Sequence, residues 1–537
     1  MLARCLTASI YGLEAKAVTV EVDLAPGLPG LQLVGLPDKA IQESRERVRS
    51  ALRNSGFRSP LVKVVVNLAP ADLRKEGPVF DLPIALALLV ASGQLDAPLL
   101  KQIWCVGELG LDGSLRPCRG ILAIASLAAE SNARALIVPT ANSQEARLIR
   151  GLVVQPACKL QELVNLLQER RKFSKPSAGP GNLVTEEESL DTTSVGSDLT
   201  ESSFGFPEQD SLAKKALALA ATGGHHLLMV GPPGCGKTLL ARELPKLLPP
   251  LTHEEAIEIT RIHSVADLLS DPSMLLSQRP FREPHHSCSA AALLGGGRNP
   301  KPGELSLAHG GVLFLDELAE FPRGLLDQLR QPLEDGVLRL SRAEQKCSFP
   351  SRVTLIAATN PCPCGWHGDQ ERTCRCTESQ RARYWQRISG PLIDRIDLQL
   401  RMDRLSSKHL RRSMDHAKAI NIDEPNTCKP AITPRSPAGE LINQRSILTA
   451  RARMRGRNPE GKLNGKLTAD ELGRLGQFAE SALTLWEEVI NCRHLSARGG
   501  LRILRVARSI ADLQDQSEVS SAEIAEATGF SNLEKDS

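Results

Sequence analysis

The octapeptide Gly231-Pro232-Pro233-Gly234-Cys235-Gly236-Lys237-Thr238 constrains this chain more than any other stretch. It follows the apolar run His226-Leu-Leu-Met-Val230 and precedes the helix-favouring segment Leu239-Leu-Ala-Arg-Glu-Leu244. Strand, glycine-rich loop and helix in that order form the phosphate-binding pattern G-x-x-x-x-G-K-[ST]. The glycines let backbone N–H groups close round phosphates, and the helix N-terminus adds the positive end of its dipole. In that chemistry Lys237 reaches the β- and γ-phosphates, and the Thr238 hydroxyl ligates Mg²⁺. The stretch predicts a nucleotide site.

A second stretch belongs with it. Gly311-Val-Leu-Phe-Leu-Asp-Glu317 reads as a buried strand ending in two acids. Asp316 is expected to hold Mg²⁺ through its water shell, and Glu317 to polarise the water that attacks the γ-phosphate. A third buried strand, Leu355-Ile-Ala-Ala-Thr-Asn360, ends in Asn360, placed to orient the same water. Ser389-Gly-Pro-Leu-Ile-Asp-Arg395 follows, and Arg395 suits a cation supplied from a neighbouring subunit to transition-state charge. Arg498 opens a basic amphipathic helix near the C-terminus and suits a γ-phosphate contact. The other arginines of that helix, Arg502, Arg505 and Arg508, read as a solvated face.

The 537 residues suffice for three or four domains, each with its own core. A net charge of +4 is too small to imply nucleic acid, so any basic surface is local. Thirteen cysteines, an odd count without a secretory signal, read as reduced thiols or metal ligands of a cytoplasmic protein. No apolar run approaches the about 18 residues that cross a bilayer. We divide the chain into an α/β unit over 1–168, a flexible linker over 169–203, a motor core over 204–403, a polar connector over 404–436 and a helical block over 437–537.

Within the core, Phe281-Arg-Glu-Pro-His-His286 and the hairpin-like Gly336–Val353 segment carry basic residues. These are either loops that track a phosphate backbone in a ring pore or solvated surface. His285 and His286 are alternative metal ligands, although adjacent histidines rarely face one ion. Cys362, Cys364, Cys374 and Cys376 lie within fifteen residues. They match a Cys₄ zinc site in count, with C-x-C spacing tighter than usual, and free thiols are the alternative.

The first unit resembles the proteolytic domain of Lon-type proteases through Val106-Gly-Glu-Leu-Gly-Leu-Asp-Gly-Ser-Leu-Arg-Pro117 and Lys75-Glu-Gly-Pro-Val-Phe-Asp81. That family places its serine directly after a Gly-Pro, where this chain has Val79, and its lysine near Leu122. An apolar side chain cannot be activated for acyl attack, which implies a non-proteolytic domain reused for assembly or substrate contact. The set GPPGCGKT, PGELSLAHGGVLFLDE, NPCPCG, SGPLIDRIDL and SARGGLRILRVARSIADL resembles the YifB/ComM family of magnesium-chelatase-like AAA+ ATPases over nearly the whole chain. The resemblance implies a multidomain α/β fold: a degenerate Lon-like domain, an AAA+ core and a helical lid. For the ComM branch it further implies ATP and Mg²⁺ as cofactors, a hexameric ring, and DNA as partner in branch migration during natural transformation. A chelatase-type chaperone that remodels a protein partner is the alternative.

Overall fold

The computed structural model describes residues 2–169, 211–404 and 444–531, apart from positions 76, 270, 272, 298, 299, 343, 344, 370 and 389. The linker and connector expected from sequence lie almost entirely outside the described residues.

Alternating apolar residues build the first unit. Ala3–Tyr11 and Glu14–Ala25 pair as a long antiparallel hairpin. Lys63–Ala69 joins its open edge, with Gly30–Val34 outermost. Ile103–Cys105, Ala135–Pro139 and Val154–Ala157 extend the other side in parallel, giving seven strands. The apolar helix Asp81–Ala91 is buried at every position, as its all-round hydrophobicity requires. Asp112-Gly113 turns a separate short hairpin, Glu108–Leu109 with Leu115–Arg116.

The core holds a five-stranded parallel sheet in the order Phe281–Arg282, Val312–Leu315, Thr354–Thr359, Leu227–Val230, Leu398–Arg401. Parallel strands covered on both faces read as unbroken apolar runs, which is why three of them were visible in sequence. His226, just before the phosphate-loop strand, is buried and accepts the Leu355 N–H through Nδ1 at 3.0 Å. Burial first, then the charge of Lys466, pushes its pKa down to about 3, so the ring is neutral.

The first unit docks on the core. Leu13, at the turn of the long hairpin, is buried in the core's apolar cluster with Cys347 and Phe349. These two sit on the hairpin formed by Val337–Arg342 and Gln345–Pro350. Ser264 donates to the buried Glu145, and Arg119 pairs with Asp267 at 2.8 Å.

The C-terminal block comprises Gln444–Arg457, Ala469–Leu475, Glu480–Arg493, Ala497–Leu513 and Ser521–Gly529. It shares one apolar cluster with the core helix Ser211–Gly223 and the sheet. Here the expectation of a solvated arginine face is corrected. Arg508 is fully buried, bonded to Asp512 at 2.9 Å and to the carbonyls of Gly476, Gln516 and Ser517. Arg502 is also buried, and Arg505 donates to the Leu467 carbonyl. Guanidinium groups have five fixed donors, so they can satisfy turn carbonyls that the packing has cut off from water. Among the described residues no helix is long and apolar enough to cross a membrane.

Candidate functional site

Three neighbouring strands end at one edge of the core sheet. Val230 is opposite Thr359, and Leu315 is opposite Ala357, so Gly231, Asp316 and Asn360 emerge side by side. Ligands of open α/β sheets bind at the carboxyl ends of such strands. Gly234 and Gly236 adopt φ of +77° and +91°, which the loop needs to turn its N–H groups inward. Gly231 is required for a different reason: a Cβ there would lie 2.6 Å from the Met402 carbonyl oxygen.

Lys237, the first residue of the helix Lys237–Leu247, is only 8% exposed. Its ammonium donates to the carbonyls of Gly231 at 2.7 Å and Pro232 at 3.0 Å, and to Asn360 Oδ1 at 3.3 Å. The lysine thus occupies the hollow of its own loop, on neutral acceptors that a phosphate would outcompete. Cys235 lines the same loop; burial pushes its thiol pKa up against the nearby lysine charge. Thr238 Oγ1 donates to Asp316 Oδ2 at 3.1 Å. Octahedral Mg²⁺ with bonds near 2.0–2.1 Å sets neighbouring oxygens about 2.9 Å apart, so this pair fits the ion or its water shell.

Glu317 is exposed and sits at φ +51°, a left-handed conformation uncommon outside glycine. Its carboxylate meets His286 Nδ1 at 3.1 Å, and His286 stacks near His285 and edge-on to Phe321. His286 therefore holds the acid while His285 bonds the Ser287 hydroxyl at 2.8 Å, and the pair forms no metal cluster among the described residues.

Arg395 and Arg498 stand apart from this group. Arg395 pairs with Glu334 at 2.8 Å and donates to the Pro391 carbonyl at 2.7 Å. Arg498 is exposed, in the first turn of the helix Ala497–Leu513 that Ser496 caps. The two residues that follow, Gly499 and Gly500, cost a helix about 1 kcal/mol each. Gly500 has a packing reason: a Cβ there would lie 2.7 Å from Ile490 and 3.3 Å from Trp486, whose indole N–H donates to the Gly500 carbonyl.

The cysteines converge. Sγ atoms of Cys362 and Cys364 are 3.3 Å apart, Cys362 and Cys374 3.7 Å, and Cys364 and Cys374 3.6 Å. All four ligand atoms, Cys376 included, lie within 4.8 Å of one another.

With this geometry in hand, family models match three stretches. "Magnesium chelatase, subunit ChlI" covers 208–410, "Subunit ChlI of Mg-chelatase" 20–142, and "Magnesium chelatase, subunit ChlI C-terminal" 440–531. Competence protein ComM of Haemophilus influenzae is 41% identical over 532 residues, covering 97% of this chain and 95% of that protein. The chain belongs to the YifB/ComM family. Another member, the uncharacterized protein YifB of Escherichia coli, is 40% identical over 98% of this chain and 97% of its own. Lon protease 2 of Bacillus subtilis is 27% identical over 157 residues, or 27% of this chain. The YifB/ComM assignment carries with it a magnesium-chelatase-like AAA+ ATPase.

Sequence reading had not connected two contacts of this family member. His286 follows the short strand Phe281–Arg282, which lies beside the strand of Asp316 and Glu317, so only sheet order brings it to the acid. Arg502 donates to the carbonyls of Ile393 at 3.3 Å and Ile396 at 3.2 Å, on either side of Arg395. A basic residue one turn after Arg498 was visible, but its target was more than a hundred residues away.

Proposed function

We propose that this protein is an ATP-hydrolysing ring motor, a hexameric DNA translocase that promotes branch migration in homologous recombination during natural transformation. The observation that carries the ATPase part is the convergence of Lys237, Thr238, Asp316 and Asn360 on three adjacent strand ends. In this reading Gly231–Thr238 bind the phosphates, and Thr238 and Asp316 hold Mg²⁺. Glu317 polarises the attacking water, Asn360 orients it, and Arg498 meets the γ-phosphate. Arg395 acts on the site of the next subunit; its cis partners, Glu334 and Pro391, lie outside the phosphate loop and the strand-end acids.

Residues 204–403 form the motor, 437–537 the lid, and 1–168 a domain for assembly or substrate contact, with 169–203 and 404–436 joining them. DNA as the partner and the cytoplasm as the compartment are inferred from likeness to a competence protein. Cofactors are ATP and Mg²⁺, with a structural zinc ion on the cysteine cluster. The magnesium-chelatase matches favour a second reading, a chaperone that remodels a protein partner.

The test is steady-state ATP hydrolysis without DNA, with single-stranded DNA and with a four-way junction, using Glu317→Gln as the blank. Stimulation by DNA, strongest on the junction, is expected. Hydrolysis indifferent to DNA overturns the translocase reading and leaves the chaperone.

A further inference from the structure

The loop that leaves the strand Thr354–Thr359 at Asn360 returns to the helix Glu378–Arg387 after carrying all four clustered cysteines. Its backbone is shaped around the thiols. Gly365 and Gly368 adopt φ of +83° and +80°, the Gly365 N–H closes on the Cys362 carbonyl at 2.9 Å, and the Cys376 N–H points at Cys374 Sγ at 3.4 Å. A disulfide needs sulfurs about 2.05 Å apart, and these pairs are far outside that. A tetrahedral ion with Zn–S bonds of about 2.3 Å has edges of about 3.8 Å. The separations of 3.3, 3.6 and 3.7 Å among Cys362, Cys364 and Cys374 fall just inside that figure, and Cys376 completes the set with all four sulfurs within 4.8 Å, so a small adjustment admits the ion.

The cage sits against the nucleotide site on two sides. Cys362 is two residues beyond Asn360, and between them the Pro361 carbonyl accepts the Trp385 indole N–H at 3.1 Å. On the other side Gly365 lies so close to the phosphate loop that a Cβ would stand 2.7 Å from Pro233 Cδ. Arg381 ties the far end, donating to the Cys376 carbonyl at 3.1 Å.

We propose that Cys362, Cys364, Cys374 and Cys376 hold one zinc ion that works as a strut. It locks the segment bearing Asn360 against Pro233 and so sets the shape of the phosphate loop and its affinity for nucleotide. The metal site stands on the thiol geometry, and the strut rests on the ATPase reading above. Soft thiolates in a tetrahedral set select zinc or iron, and an outer support of this kind is worth about tenfold or more in the site it braces.

The experiment uses the full chain purified without chelator. Elemental analysis is expected to find one zinc per chain, released by a mercurial and counted with a chromogenic chelator. Titration with fluorescent ADP is expected to show affinity weakened about tenfold in Cys374→Ser. Cys376→His, which keeps a ligand, is expected to retain both zinc and affinity, as is Cys158→Ser on the exposed surface of the first unit. Should Cys374→Ser fail to fold, mercurial release from the wild type, followed by the same titration, supplies the comparison. Wild type without metal, or with iron in its place, overturns the zinc site. Loss of zinc with unchanged ADP affinity overturns the strut. Zinc-loaded wild type that binds no ADP overturns the ATPase reading while leaving the metal site intact.

Discussion

Two regions of this molecule carry the outline of a reaction centre, and their charges are held in different ways. In the first unit, Asp81 is fully buried and takes Arg47 at 2.7 and 3.2 Å, the Ser44 hydroxyl and the Leu109 N–H. Lys75 is fully buried on the Pro70 carbonyl, and Glu145 takes the Leu122 N–H at 3.0 Å and Ser264. Val79 and Leu122 contribute only apolar surface to the cores beside them. In the second unit, Lys237 rests on loop carbonyls and Glu317 on one histidine at the strand ends, while Arg395, apart from them, rests on one acid and one carbonyl. A charge with many permanent partners is part of the scaffold. A charge with few, neutral or exposed partners can exchange them for a ligand.

This contrast can be broken by mutation. The largest effect is expected for Arg395→Ala, which should lower turnover by about 1,000-fold, the scale of a lost arginine finger. In mixed assemblies with wild type, activity should fall more steeply than dilution; a linear fall would place Arg395 in its own subunit's site. Lys237→Ala should weaken nucleotide binding by about 100-fold, measured with fluorescent ATP, because one preorganised donor in a closed site is worth that much. Unchanged affinity would show that the lysine is as structural as Lys75.

Arg47→Ala tests the other side. It leaves a buried carboxylate without its cation, at a cost of about 3 kcal/mol in denaturant unfolding, with ATP turnover per folded molecule unchanged. A selective loss of turnover would mean that the first unit takes part in the chemistry.

The buried His226 adds a pH dependence. Its folded pKa of about 3 is below the ordinary 6.5, so below pH 6.5 the unfolded chain binds a proton that the folded chain refuses. Stability is therefore full above pH 6.5 and falls with acidification, by about 2 kcal/mol at pH 5. His226→Asn, whose amide oxygen can take the Leu355 N–H, should flatten the slope of melting temperature against pH. The smallest effect is expected for His286→Ala. Releasing Glu317 should raise basal hydrolysis about threefold, under 1 kcal/mol, and a fall instead would make the histidine a helper of catalysis.

Much of this was legible in the chain. The phosphate loop, the acids after Leu315 and Asn360 are each local: an apolar run, then polar residues at its end. Parallel strands announce themselves because both faces are covered. The N-terminal strand Ala3–Tyr11 was not read, since its apolar and polar residues suit a hairpin partner that only the fold supplies. The arginines after Arg498 were misread for a related reason. A basic residue every third or fourth position looks like a wet helix face until other helices and their turn carbonyls close over it. The contacts of His286 with Glu317, and of Arg502 with Ile393 and Ile396, join distant segments and leave no mark in local pattern.

The buried Arg502 has a mechanical consequence. It is four residues beyond Arg498 on one helix, a rise of about 6 Å along a stiff rod. One end of that rod stands in solvent, and the other grips the peptide on both sides of Arg395. One helical turn thus links the exposed Arg498 to the peptide that carries Arg395, although the two arginines share no direct contact.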